Sequence, residues 1–235
     1  MSVESVLRSH LESILERARL GRLTYRKFFE TVVYALNPSL KIQNIVRDDI
    51  VEDVRELIKM VERAQDNLSG MRLYVEHLIN NGYKSIIVDC LGLPEIYEIY
   101  VKAREECRSW RSLAVSIKPY INRSARTQRF KDAYRAPSMT KLAHNTGSSL
   151  HRYIDTKIHS EFSEPLEVNI LLDKVDAKIK AIAEDIAKDA ARSGKAFIIS
   201  DHGYDIYCTD QGTCYIEHGI NSKLAKLAPL IIIDC

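Results

Sequence analysis

The chain of 235 residues carries 34 lysines and arginines against 32 acidic residues, a formal net charge of +2, with 46% hydrophobic and 28% charged residues. That composition excludes a disordered chain, and so small a charge gives no independent argument for a nucleic-acid partner. A chain of this length buries a real core and is most simply one α/β domain with an appended helical piece.

No apolar run is long enough to span a bilayer, and Met1-Ser2-Val3-Glu4 begins no signal peptide. The expectation is a cytoplasmic protein with no membrane partner. Five cysteines follow no zinc-finger spacing. Cys90 and Cys107 read as core residues. Cys208 and Cys214 flank Asp210-Gln211-Gly212, a loop that sets them opposite each other on a hairpin. A reducing cytosol keeps such a pair as free thiols, except in a hyperthermophile.

Residues 1–80 read as a helical region. Val6, Leu7, Leu11, Ile14 and Leu15 recur at helical spacing, as do Phe28, Phe29, Val32, Val33 and Leu36 before Asn37-Pro38. Asp48 to Asp53 opens a further helix through Val54, Leu57, Ile58 and Val61. Ser69-Gly70 breaks it, and a last helix ends at Asn80-Asn81-Gly82.

From residue 81 the pattern changes to alternating strands and helices. Tyr83–Asp89 reads as a buried strand ending in a carboxylate, with a helix from Glu95 to Cys107 and a second strand at Leu113–Ile117. A basic stretch then carries Arg123, Arg126, Arg129, Lys131 and Arg135. It reads either as a solvated face or as a weak site for substrate phosphate. Thr140 to Phe162 reads as a helix with Ser138 at its N-cap, and Val168–Leu172 as a third strand. Asp173 and Asp176 then open a long helix. Ala196–Ser200 is a fourth strand, Tyr204–Tyr215 a hairpin, and Leu230–Ile233 a final strand. The alternation predicts an α/β fold over 81–235, a mostly parallel central sheet with helices on both faces.

Ligands in open α/β sheets bind beyond the carboxyl ends of the strands. Asp89, Asp201 and His202 are expected there, with Asp176 just past the third strand and His218 beyond the hairpin. Carboxylate oxygen and imidazole nitrogen both suit zinc or manganese. Asp201-His202-Gly203 is equally an ordinary strand-ending turn, and Asp173 and Asp176 equally first-turn acids of a helix. Thr140 at a helix N-terminus is either a cap hydroxyl or a nucleophile whose alkoxide a metal and the helix end stabilise. His144, His151 and His159 recur at intervals of seven and eight residues, one stripe too long for a single ion, and read as structural.

Ile87-Val88-Asp89-Cys90-Leu91-Gly92, Pro137-Ser138-Met139-Thr140, Ser200-Asp201-His202-Gly203-Tyr204 and His218-Gly219-Ile220-Asn221-Ser222, in that order, resemble the PglZ domain of the alkaline phosphatase superfamily. The resemblance covers roughly residues 83–235 and ends on Pro229 and the final strand. It implies a metal-dependent phosphohydrolase, phosphatase or phosphodiesterase, acting on a phosphate ester such as a nucleotide or nucleic acid. Thr140 matches the nucleophile; Asp89, Asp201 and His202 match one metal site, and Asp176 with His218 the other, Asp173 being an alternative to Asp176. Where the superfamily often has a ligand histidine four residues after that aspartate, this chain has Lys180, and Ile220 replaces a glycine. The expectation is one firmly held ion and one weak one. The other reading is a degenerate module of the same fold that binds partners and does no chemistry.

Overall fold

The computed structural model describes residues 3–40, 48–107 and 114–235. Four helices come first: α1 (Val3–Leu20), α2 (Tyr25–Leu36), α3 (Asp48–Arg63) and α4 (Leu68–Asn80). Thr24 caps α2 by accepting from the Lys27 amide, and Asp48 and Asp49 occupy the first turn of α3, where the helix dipole favours them. Gly70 lies inside α4 rather than breaking a helix. Gly82, at φ 77°, then turns the chain into β1 (Lys84–Val88).

After β1 come α5 (Leu93–Glu106), β2 (Ala114–Ile121), α6 (Thr127–Tyr134), α7 (Met139–Thr146), β3 (Ser149–His151) and α8 (Tyr153–Lys157). The chain continues through β4 (Leu166–Glu167), α9 (Val168–Arg192), β5 (Lys195–Ser200), β6 (Asp205–Cys208), β7 (Thr213–Glu217) and β8 (Leu227–Asp234). The expected start of the second strand at Leu113 lies outside the described residues.

The main sheet has the order β2-β8-β5-β1-β3, and β4-β7-β6 form a small second sheet. β1 runs parallel to β3 and β5, whereas β8 runs antiparallel to both β5 and β2. The sheet is therefore mixed, not mostly parallel. A parallel neighbour requires a crossover to the opposite end of the sheet. Between β5 and β8 the chain makes only a hairpin and a short 3₁₀ turn, so it re-enters from the end it left.

Two further expectations give way. Val168–Leu172 is the start of α9, because Val168, Leu171, Leu172, Val175 and Ile179 continue one helical stripe, the last four of them buried. The single helix expected over 140–162 is broken by Gly147, which caps α7 at φ 63° and releases β3 to pair with β1. Past β3, α8 passes into a π-helical turn at Ile158–Phe162.

Alternate strand residues feed two cores. Ile86, Val88, Ile198, Ile231 and Ile233 face α1, α2, α3, α5 and α9. Ile87, Phe197, Ile199, Leu230 and Ile232 face α4, α6 and α7. The N-terminal helices thus share cores with the strands. No helix among the described residues is long and apolar enough to cross a membrane. Cys90 and Cys107 are buried as expected. Cys208 and Cys214 pair across the hairpin, but as a disulfide rather than two thiols, and Cys107 is joined to Cys235.

Glu95 lies at the centre of the packing between α2, α5 and the turn after β5. It is fully buried; its Oε1 accepts from the Tyr25 and Tyr204 hydroxyls at 2.5 and 2.7 Å, and its Oε2 from the Gly92 amide at 3.0 Å. Gly92 admits no side chain: an added Cβ would lie 2.5 Å from Cζ of Tyr204 and 2.8 Å from Glu95 Oε2. Glu95→Ala orphans three buried donors and should cost about 3–5 kcal/mol in denaturant unfolding, while Glu95→Gln, which keeps an acceptor of the same shape, should cost less.

One turn further along α5, burial pushes the Glu98 carboxyl up to about 7, with Lys180 of α9 opposing and Glu184 adding to the rise. Its folded value lies above the unfolded one. Neutral Glu98 therefore stabilises the fold at low pH, and that contribution is lost as pH rises through about 7. Thermal melts should show Glu98→Gln flattening the decline in Tm from about pH 5 to about pH 8.

Candidate metal centre

β1 and β5 are adjacent and parallel, so their carboxyl ends emerge side by side. The two turns that follow are stitched together. The Cys90 amide donates to Asp201 Oδ1 at 3.2 Å, and the Leu91 amide lies 3.0 Å from Ser200 Oγ and 2.9 Å from the His202 carbonyl. Asn122, just past β2, donates to the Asp201 carbonyl at 2.8 Å. Asp205, which has no assigned role from sequence, accepts from the Lys223 and Ala225 amides and so shapes the segment leading into β8.

This scaffold converges Asp89, Asp201 and His202, all buried, with ligand atoms close enough to share one cation. Asp201 Oδ2 and His202 Nε2 lie 3.2 Å apart. The His202 ring is oriented by Nδ1, which sits 3.0 Å from the Gly203 carbonyl; with the proton assigned there, Nε2 is left as an acceptor. Asp89 Oδ1 and Asp201 Oδ2 are buried without a hydrogen-bond partner. Burial, followed by the charges of Asp201 and Asp155, pushes the Asp89 carboxyl up to about 8. Carboxylates this close, with orphaned oxygens, are what a cation stabilises.

A second set adjoins the first. Asp155 Oδ1 lies 3.3 Å from His159 Nε2 and 3.7 Å from His218 Nε2, and the two Nε2 atoms are 3.1 Å apart. Ligands about 2.05 Å from a tetrahedral zinc ion are separated by about 3.3 Å, so these three atoms already have the spacing of a coordination face. The hydrogen bond with Asp155 raises the His218 pKa against the opposing effect of burial. Burial works to raise the Asp155 carboxyl, but His218 and the surrounding imidazoles outweigh it and hold that group low. The His202 and His218 rings are 4.3 Å apart and join the two sets. Cys90 Sγ completes a third grouping with His202 and His218.

Of the residues expected at the site, the structure brings together Asp89, Asp201, His202 and His218. It does not bring Asp176 or Thr140 to them. Asp176 is inside α9, because the strand that was to end beside it is helical. Asp173 pairs with Arg26, and Lys180 with Glu184 at 3.7 Å. Thr140 is exposed in the first turn of α7, with no hydrogen bond to the cluster. The hydroxyl at the cluster is Thr127, the first residue of α6, with Oγ1 3.4 Å from His202 Nε2.

The basic stretch divides. Arg123 donates to the carbonyls of Glu62 and Ala64, and Arg129 is paired with Asp66 at 3.1 Å. Arg135 caps the far end of α6. Arg126 precedes Thr127 and lines a cavity with His218. Arg152, absent from the expected set, approaches Asp89 at 3.7 Å.

Asp155 and His159 are the residues that sequence reasoning missed. The signal was present: Asp155 and His159 have the four-residue spacing sought at Asp176 and Lys180. A histidine stripe judged on one continuous helix concealed it, since β3 separates His144 from the turn carrying His159. The π-helical turn at 158–162 is the sort of irregularity found at functional positions. No protein-family model matches the chain, and no curated protein matches it.

Asp155→Asn and His159→Ala should each weaken binding of zinc or manganese by about tenfold or more in calorimetric titration. Lys180→Ala should leave the titration unchanged.

Proposed function

We propose that the protein is a metal-dependent phosphohydrolase, a phosphatase or phosphodiesterase of the PglZ type in the alkaline phosphatase superfamily, with Thr127 as the nucleophile. The observation carrying this reading is the adjacency of two three-residue ligand sets, joined through His202 and His218, to a hydroxyl at the first position of a helix. Oxygen and nitrogen donors of this kind fit zinc or manganese, which when bound would supply charge stabilisation for phosphoryl transfer. Asp89, Asp201 and His202 would hold one ion, and Asp155, His159 and His218 the other. Lys180, paired with Glu184 on α9, belongs to neither set, so this reading expects two comparably held ions in place of one firm and one weak.

Thr127 Oγ gives its proton to solvent and forms a bond to phosphorus as the ester P–O bond breaks, and the departing alkoxide takes up a proton from solvent. Water then attacks the phospho-threonine, releasing phosphate or its monoester and restoring the hydroxyl. Thr127 sits at the N-terminus of α6, whose dipole would favour negative charge developing on the phosphoryl oxygens. Arg152, 3.7 Å from Asp89, is the cation that would hold the substrate's phosphate oxygens, while Arg126 lines the cavity beside His218. A phosphate ester of a nucleotide or nucleic acid is the substrate class they favour. The inert-module reading rested on Lys180 spoiling a ligand position, a position that Lys180 does not occupy.

With zinc, manganese or magnesium added, the protein should hydrolyse a chromogenic phosphomonoester or phosphodiester. Thr127→Ala should lower metal-stimulated turnover by roughly two orders of magnitude or more, Thr127→Ser should retain part of it, and Thr140→Ala should match the parent. A parent inactive on both ester types with every metal would overturn the reading, and equal activity of Thr127→Ala would return the attack to water.

A further inference from the structure

A cavity of about 310 Å³ adjoins the ligand sets through His218, which lines it. Its walls are Arg126, Tyr207 and the whole segment Glu217–Ser222, which includes the apolar Ile220. A group seated there adjoins His218, a member of the second ligand set. The volume lies at the low end of small-molecule sites, enough for one compact organic group and too small for a polymer segment.

The wall chemistry selects among such groups. Tyr207 is a fixed aromatic surface: its hydroxyl is 3.3 Å from Oγ of the buried Ser222, and its ring stacks on Tyr215 with centroids 5.5 Å apart. Both tyrosines lie on the outer face of the β6–β7 hairpin, opposite each other in register, so the surface is built by strand pairing. Arg126 is exposed and, among the described residues, in no ion pair, whereas Arg123 and Arg129 of the same stretch are committed elsewhere. A phenol ring and a guanidinium both offer flat faces to a heteroaromatic ring. Glu217 accepts from hydroxyls or exocyclic amines, and Asn221 both donates and accepts.

We infer that this cavity is the subsite for the nucleoside portion of a nucleotide ester, with Tyr207 and Arg126 as the residues that discriminate it from other phosphate esters. The inference rests on the phosphohydrolase reading for its link to turnover, but not for binding.

The test compares two diesters with the same charge and leaving group, thymidine 5′-(p-nitrophenyl phosphate) and methyl p-nitrophenyl phosphate, in the metal-supplemented full chain. The parent should prefer the nucleoside ester by at least tenfold in kcat/KM. Tyr207→Leu and Arg126→Ala should each reduce that ratio severalfold, chiefly through KM, and Tyr207→Phe should retain it. A parent ratio near one, or a ratio unmoved in Tyr207→Leu, overturns the subsite. Calorimetric binding of AMP and of glucose 6-phosphate decides the matter if neither diester turns over, the result in which the phosphohydrolase reading itself fails. AMP binding that weakens tenfold in Tyr207→Leu upholds the subsite even then. No AMP binding, or tighter binding of glucose 6-phosphate, overturns it.

Discussion

The carboxyl group of Glu95 is the contact on which the rest of this structure depends. It is removed from water, where a carboxyl group is costly unless every lone pair finds a donor. Its three donors come from three places: Tyr25 on α2, Gly92 at the start of α5, and Tyr204 just after the Asp201-His202 turn. One buried side chain thereby ties the N-terminal helices, the helix after β1 and the loop carrying two metal-site candidates. Cβ-free Gly92 lets Tyr204 approach closely enough for this to happen. Burial still pushes the Glu95 carboxyl up, the three donors pulling against it. That is the mark of a group whose satisfaction depends on the whole arrangement being in place.

The candidate centre is built on the same logic, with the opposite outcome for its polar atoms. Around Glu95 the donors are supplied by the protein. At Asp89 and Asp201, buried oxygens lack partners, and burial together with the neighbouring Asp201 charge raises the cost of ionising Asp89. Two strand ends, α8 with the π-helical turn that continues it, and the segment after the hairpin each contribute, so no single element holds a complete ligand set. Backbone hydrogen bonds between the turns after β1 and β5 fix the positions before any ligand arrives, which reduces the reorganisation needed on binding.

The hairpin has a double role in this architecture. Its inner face, with Ile206, Ile216 and the Cys208–Cys214 bridge, joins the core. Asn37 at the end of α2 fastens it by donating to the Ile206 carbonyl and accepting from the Cys208 amide, both at 2.8 Å. Its outer face presents the stacked tyrosines beside His218. The same short connection also reverses the chain, so that β8 enters antiparallel between β5 and β2.

Local chemistry was enough to read much of this from sequence. The helical stripes of α1 to α3, the apolar runs of β1, β5 and β8, and the register of Cys208 against Cys214 follow from periodicity and turn length, which neighbouring residues determine. Asp89, Asp201 and His202 were legible as companions because each directly follows a strand of a sheet, and strand ends share one edge. What tertiary structure alone decided was contact between segments whose local pattern was ambiguous. Val168–Leu172 satisfies both strand and helix as an apolar run, and the buried stripe continuing to Ile179 selects the helix, carrying Asp176 away from the strand ends. Thr127 and Thr140 are both hydroxyls at the starts of short helices, and only packing of α6 against the turn after β5 distinguishes them. His159 looked like one member of a surface stripe until β3 interrupted the helix. Spacing along a chain reports which residues share a face, whereas a ligand set is defined by distances across faces, and those exist only once the sheet is assembled.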